Sequence, residues 1–251
     1  MFTLGCDRAY LFAHPERDLS AEESSRYEAA LAERSRGVPA QYITGHQEFW
    51  GMDLIVSPAV LIPRPETEHV IETVLDLIPA PEPGIRIVDV GTGSGCIALA
   101  LAREFSTAET HATDISSAAL EIAKANAARL ELNRRIQFHN VDLLEGLSGE
   151  FDLIVSNPPY VGESEEDQVQ FEVRKFEPRT AVFAGQMGTE VIARLIPQAL
   201  EKLRPGGWLV LEISGTIADQ VQSLLKGWDE LKVIPDLQGI PRVVRARKPQ
   251  A

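Results

Sequence analysis

The sequence predicts an α/β fold: a mostly parallel sheet with helices on both faces. Three observations carry that expectation. From residue 85 onward, short apolar runs alternate with segments of helical period, and parallel strands need crossover helices that cover both faces of their sheet. A glycine-rich turn, Gly91-Thr-Gly-Ser-Gly95, joins the first of these runs to the first helix, where open α/β sheets commonly meet a ligand. Upstream, a stiff stretch, Pro79-Ala-Pro-Glu-Pro-Gly84, separates this pattern from a helical and hairpin-like region. The 251 residues suffice for one domain or a small one plus a large one, at roughly 100–200 residues each.

The elements follow in order. Residues 1–45 read as helical. Ser20-Ala-Glu-Glu23 is a capping box, in which hydroxyl and carboxylate satisfy free amides at a helix start. Tyr27, Ala30, Leu31 and Arg34 continue at helical spacing until Gly37 and Pro39. Glu48–Val56 reads as a hairpin broken at Gly51. Leu61–Glu68 leads into a helix with Val70, Ile71, Val74, Leu75 and Ile78 on one face. Strands are expected at 85–90, 110–114, 136–141, 151–156 and 208–213, and two short ones near 231–234 and 243–246. Helices are expected at 95–103, 117–130, 189–203 and 217–225, with Pro205-Gly-Gly207 as the turn that ends the third. The boundaries this implies are a helical segment 1–45, a hairpin and linker helix 46–83, and a larger domain 84–251.

Composition excludes several classes. With 44% hydrophobic and 24% charged residues, the chain is neither collagenous nor largely disordered. Two cysteines, Cys6 and Cys96, make no disulfide framework, and five scattered histidines show no metal-ligand spacing. No apolar run reaches the ~20 residues of a membrane span, and the first residues lack the pattern of a signal peptide; a cytoplasmic location is expected. The 37 acids outnumber 24 Lys and Arg, for a formal charge of -13. Such a surface repels a phosphate backbone and attracts a basic protein.

Two segments carry chemistry. In Val88-Asp-Val-Gly91-Thr-Gly-Ser-Gly95, the glycines permit a tight turn and close approach of a ligand. Asp114, at the end of the next strand, is placed to accept hydrogen bonds from both hydroxyls of a ribose. A glycine turn alone is equally a structural feature. The spacing is not the dinucleotide fingerprint, because Cys96 holds its third position, and no Lys-Ser/Thr follows as a phosphate loop requires.

The second segment is Asn157-Pro-Pro-Tyr160 after Phe151–Ser156. Paired prolines fix their φ angles and lack donors, so they make a rigid loop with free carbonyls. An amide nitrogen is a poor nucleophile, because its lone pair is delocalised. The Asn157 side-chain oxygen and the Pro158 backbone oxygen can each accept one N–H of an NH2 group, selecting and orienting it. Tyr160 can stack on a flat group.

Asp-x-Gly-x-Gly-x-Gly resembles the first motif of Rossmann-like methyltransferases, and the tetrad resembles the signature of those that act on planar nitrogen. The first resemblance implies S-adenosylmethionine as cofactor, leaving S-adenosylhomocysteine. It would be held by Gly91, Thr92, Gly93, Ser94, Gly95 and Asp114, with Asp142 and Leu143 at the adenine and Asn157 beside the methyl. Adenine of DNA and a glutamine amide both fit the tetrad. The upstream Gln41-Tyr-Ile-Thr-Gly45, Glu48-Phe-Trp-Gly51 and Val56-Ser-Pro-Ala-Val-Leu-Ile-Pro-Arg-Pro-Glu-Thr-Glu68 decide between them. With Phe176-Glu-Pro178, the Gly188 segment, Arg204–Glu212 and Gly239–Val244, they resemble the HemK/PrmC family over nearly the whole chain.

That resemblance implies a class I methyltransferase with a seven-stranded sheet, a small N-terminal helical domain and a hairpin linker. It implies methylation of N5 of the glutamine in the Gly-Gly-Gln motif of bacterial peptide chain release factors. Asn157, Pro158 and Tyr160 would be catalytic, and Pro159 and Leu61 would wall the glutamine, although Leu61 also reads as an ordinary packed residue. Arg64 and Glu66 read either as an ion pair or as substrate contacts. The acidic run Glu163-Ser-Glu-Glu-Asp167 reads as a solvated loop facing a basic substrate domain. The pattern enters the family's helical domain partway, so that domain is expected to be shortened. No metal, membrane or direct nucleic-acid contact is expected. The alternatives are a DNA adenine N6-methyltransferase, which the charge opposes, a nicotinamide oxidoreductase, and a cofactor-binding module without turnover.

Overall fold

A computed structural model describes residues 1–80 and 83–250; of the expected linker, Pro81 and Glu82 lie outside the described residues. Three helices open the chain: α1 (Arg8–Ala13), α2 (Ala21–Ser35) and α3 (Ala40–Thr44). The capping box forms as expected. Ser20 Oγ accepts the Glu23 N–H at 3.2 Å, and the Glu23 carboxylate accepts the Ser20 N–H at 2.9 Å. The face of α2 that carries Tyr27 and Leu31 nevertheless stays exposed.

The hairpin pairs β1 (His46–Phe49) with β2 (Met52–Ile55). Both turn residues, Trp50 and Gly51, have positive φ, as the right-handed twist of a two-residue hairpin requires. Trp50 is held there from two sides. Its backbone N–H donates to Glu68 and its indole N–H to Glu104, each at 2.8 Å. Phe49, Met52 and Leu54 are buried with Val70, Ile71 and Val74 of α4 (Glu68–Leu77) and with the helix after the glycine loop. Hairpin and linker helix thus share the core of the large sheet.

That sheet contains β3 (Arg86–Val90), β4 (Glu109–Asp114), β5 (Ile136–Asn140), β6 (Phe151–Ser156), β7 (Leu203–Glu212), β8 (Asp229–Pro235) and β9 (Pro241–Arg247), in the order β5-β4-β3-β6-β7-β9-β8. The first five in sequence pair in parallel; β9 runs antiparallel to β7 and β8. Helices α5 (Cys96–Glu104), α6 (Ser117–Arg129), α7 (Phe171–Phe176), α8 (Arg179–Val182), α9 (Glu190–Lys202) and α10 (Ala218–Leu224) connect them. Alternate strand residues serve opposite faces. Ile87, Leu153 and Val155 join the core under α4 and α5, while Val88, Val90 and Ile154 join the core under α9 and α10. The chain leaves β3 toward β4 and β5, then returns to β6 on the other side. The crevice at such a reversal is where open α/β sheets bind ligands.

Two expectations change. Arg204–Gly207 is not a free turn: β7 begins at Leu203, paired with Phe151, and the register shifts before Leu153 meets Trp208. A Cβ on Gly207 would sit 3.1 Å from the Asp152 carbonyl, so the bulge needs glycine there. The acidic run is not a plain solvated loop either. Glu163–Gln168 forms a 3-10 helix, and Glu166 and Asp167 pair with Arg179 and Arg174 at 2.7 and 3.1 Å.

Candidate active site

The glycine loop leaves β3 with φ of +71° at Gly91, +57° at Gly93 and +86° at Gly95, a region costly to other residues. A Cβ at Gly91 or Gly93 would meet no atom within 4 Å. Both border a cavity of about 360 Å³ that Thr92, Ser94 and Asp114 also line. Gly95 differs: its Cβ would stand 3.2 Å from that of Ala123, and it lies outside the cavity lining. Its smallness lets α6 pack on the loop.

Two acids hold the loop. Asp89 is buried and accepts the Thr92 hydroxyl at 2.6 Å and the Ala98 N–H at 3.1 Å through Oδ2. Its Oδ1 has no partner, and burial pushes its pKa up to about 7. Asp114 accepts the Gly93 N–H at 2.9 Å on Oδ2 and the Ser116 N–H at 2.8 Å on Oδ1. Burial raises its pKa against those two hydrogen bonds. Each oxygen keeps a further lone pair. Ile115, 64% exposed, and Leu143 give the same cavity apolar walls. Asp142 also lines it, with one oxygen taken by Arg194 at 2.5 Å.

A second cavity, of about 510 Å³, lies on the other side of the tetrad. Leu61, Asn157, Pro159 and Ala181 line both cavities, which therefore meet at these four residues. Tyr160 lines the second cavity only, and Pro158 is buried and lines neither. The tetrad is well anchored. Ser156 Oγ donates to the Val90 carbonyl at 2.6 Å, locking β6 to β3 at the loop root. Val161 N–H donates to the Val182 carbonyl at 3.1 Å, and Ala184 N–H to the Val161 carbonyl at 3.0 Å. Gly188, at φ +81°, passes so close that its Cβ would be 2.5 Å from the Tyr160 carbonyl oxygen, which explains a glycine in that segment.

The Asn157 amide is oriented: Nδ2 donates to Thr67 Oγ1 at 3.1 Å, which leaves Oδ1 for other partners. The Tyr160 hydroxyl donates to Glu212 Oε1 at 3.2 Å. Burial and the neighbouring Glu212 push the phenol's pKa up, so it stays protonated.

Of the two readings of Arg64 and Glu66, the mutual ion pair does not form. Arg64 pairs with the buried Glu177, and Glu177 Oε2 also accepts the Ile62 N–H at 3.2 Å. Arg64 and Glu66 both line the second cavity. Thr67, Glu177 and Glu212 are site residues that lie within the quoted motifs but received no role from the sequence. Glu212 carried a further signal, being an acid that closes an apolar parallel strand as Asp114 closes β4. Among the described residues, no group of three or more His, Cys, Asp or Glu is placed to hold a metal ion, and no helix is long and apolar enough to cross a membrane.

Comparison with known proteins agrees with this geometry. Residues 1–45 match the PrmC N-terminal domain, and residues 71–174 match the methyltransferase small domain. A release factor glutamine methyltransferase of Koribacter versatilis is 58% identical over 99% of this chain and 89% of its own length. One from Xylella fastidiosa is 42% identical over 99% and 90%. Among solved structures, a methyltransferase from Pyrococcus furiosus shares the fold with a TM-score of 0.57 at 21% identity, covering 90% of this chain and 99% of that one. Full-length similarity at this level, joined to the tetrad and glycine loop, makes the chain a member of the release factor glutamine methyltransferase family.

Proposed function

We propose that this protein transfers a methyl group from S-adenosylmethionine to the side-chain nitrogen, N5, of the glutamine in the Gly-Gly-Gln motif of peptide chain release factors. The observation that carries this reading is the meeting of two cavities at Leu61, Asn157, Pro159 and Ala181. The smaller cavity fits the cofactor: open space over Gly91 and Gly93, a carboxylate at Asp114 with spare lone pairs, and apolar walls at Ile115 and Leu143. When bound, the cofactor supplies a methyl group on a positively charged sulfur.

The chain's own residues do the rest. Asp114 holds the ribose hydroxyls, and Asp142 and Leu143 lie at the adenine. The Asn157 Oδ1 and the Pro158 carbonyl each accept one hydrogen of the glutamine NH2, which fixes its rotation and raises electron density on nitrogen. Tyr160 and Leu61 flank the flat group, and Pro159 stiffens the wall between the cavities. Rate comes from positioning and preorganised acceptors, with no covalent intermediate on the enzyme.

Residues 1–45 act as a docking surface for the release factor, 46–83 as a hairpin and linker helix, and 84–251 as the cofactor-binding catalytic domain. The charge of -13 supports a protein partner over direct contact with nucleic acid. That substrate implies a cytoplasmic site of action. The test uses purified release factor, isotopically labelled cofactor and peptide mass mapping. Label on the Gly-Gly-Gln glutamine is expected; label on duplex adenine, or none, overturns the reading.

A further inference from the structure

A carboxylate that the reaction itself does not require stands behind the tetrad. Glu212, at the end of β7, is 1% exposed and lines the larger cavity. Burying a carboxylate is costly unless donors reach it. Here one hydroxyl does so: Tyr160 donates to Oε1 at 3.2 Å. The Thr67 hydroxyl lies beside the carboxylate and helps to hold its pKa down, with no aligned hydrogen bond to it. Oε2 still lacks a well-aligned donor.

Thr67 is itself buried and accepts from Asn157 Nδ2 at 3.1 Å. A hydroxyl carries one proton. While its oxygen serves Asn157, that proton is free to turn toward Glu212. An ionised carboxylate only accepts, so it sets the direction of the whole relay. Asn157 donates to Thr67; a Thr67 proton turned toward Glu212 would complete the relay and leave the amide oxygen facing away from Thr67. A donor in place of Glu212 would satisfy the Thr67 oxygen and free the Thr67 proton to seek Asn157 Oδ1. The amide would then turn, presenting NH2 where an acceptor is needed.

Resting on the reading of the site as a glutamine methyltransferase, we infer that Glu212 is a positioning residue. Through Thr67 it sets which end of the Asn157 amide meets the substrate, and through the Tyr160 hydroxyl it holds the aromatic wall of the pocket. It touches neither reacting atom. The groups that face it are Thr67 and Glu66 from the turn before α4, Tyr160 from the tetrad, Arg242 from β9 and the Cys96 thiol at the start of α5. Burial and Glu66 favour its protonated form, whereas Thr67, Tyr160 and Arg242 oppose it, and the balance lies at about 7. The relay is therefore in its working direction above that pH and weakens below it.

The experiment compares wild type with Glu212→Gln, Thr67→Val and Thr67→Ser. Methylation of the release factor, cofactor affinity by calorimetry and the side-chain amide resonance of Asn157 are followed across pH 5.5–8.5. The resonance is assigned by its loss in Asn157→Asp. Glu212→Gln and Thr67→Val are each expected to lower kcat by about tenfold or more, with cofactor Kd unchanged within about twofold; one misdirected hydrogen bond at a polar site has an effect of this order. Thr67→Ser should restore turnover, and the acid limb of the wild-type kcat profile should vanish in Glu212→Gln. The Asn157 amide resonance should move with pH in wild type and stand still in Glu212→Gln. Wild-type kcat in both Glu212→Gln and Thr67→Val, or an amide resonance indifferent to pH in wild type, overturns the inference. A wild-type protein that leaves release factor unmethylated overturns the proposed function instead, and the amide titration still decides the relay.

Discussion

The Glu177 carboxylate accepts the backbone N–H of Ile62 at 3.2 Å while pairing with Arg64. One buried acid thereby staples the Leu61 segment to the junction of α7 and α8, across 115 residues of chain. Leu61 lines both cavities, so the staple positions a wall that both guests share. Glu177→Ala strands the backbone amide and one side of Arg64. It should destabilise the fold by about 3 kcal/mol, the usual effect of breaking a buried pair, and raise KM for the release factor more than it weakens cofactor binding. Urea denaturation and steady-state kinetics check this; stability and KM both equal to wild type would reject the staple.

Asn157→Ala should remove most methyl transfer, by about 10²–10³-fold in kcat, as loss of one preorganised polar contact does. Cofactor affinity should change little, because Asp114 and the glycine loop remain. Turnover close to wild type would remove Asn157 from the acceptor role.

Asp114→Ala should weaken cofactor binding by about 10–100-fold, since it removes the ribose acceptor and frees the Gly93 N–H, each hydrogen bond to a charged group being worth about 1.5–3 kcal/mol. Asp114→Asn keeps one acceptor oxygen and should fall between the two. Calorimetric titration with S-adenosylhomocysteine decides it, and an unchanged Kd refutes the ribose assignment.

A histidine pair bridging β4 and β5 should contribute less to stability on acidification, against the opposite drift from Asp89 and Glu212, whose raised pKa values favour the protonated folded form. His111 Nδ1 lies 3.0 Å from His139 Nε2, and Arg86 stands 3.5 Å from His111 Nε2. Burial lowers the pKa of both imidazoles below the ordinary 6.5. At these two sites the unfolded chain then binds more protons than the folded one in the window just below pH 6.5, so the pair's contribution is full above it and declines as pH falls toward the lowered values. Glu109, held low by His111 and Arg86, extends the loss to more acidic pH. Between pH 7.5 and 5.5 the urea midpoint of wild type should move further toward lower urea than that of His139→Gln, which keeps only the His111 contribution of the pair. An equal drop in both proteins would dismiss the pair as its source.

What was legible in the sequence was local or periodic. The Ser20–Glu23 box spans three residues and forms as read. Asp114 closes β4, the strand that follows the glycine-loop helix, as read, and it accepts from Gly93 and Ser116. What the sequence left open is long-range. Glu66 is the near neighbour of Arg64, yet the partner proves to be Glu177, 113 residues away. Leu203 joins β7 because Phe151 lies beside it, which no helix-ending Pro-Gly-Gly announces. Helices as short as α7 and α8 persist through tertiary contacts and leave little periodic trace. Gly95 shows the same limit: ligand approach and helix packing both ask for glycine, and only coordinates separate them.

The wall formed by Leu61, Asn157, Pro159 and Ala181 has a kinetic corollary. The two chambers share only these four lining residues, so on the proposed reading each guest has a seat of its own. Exchange of the spent donor with the release factor still bound is then the expected order of events, and a product-inhibition study with both substrates varied checks it. Traffic through this enzyme resembles a service hatch between two rooms, with the methyl group the one thing that crosses.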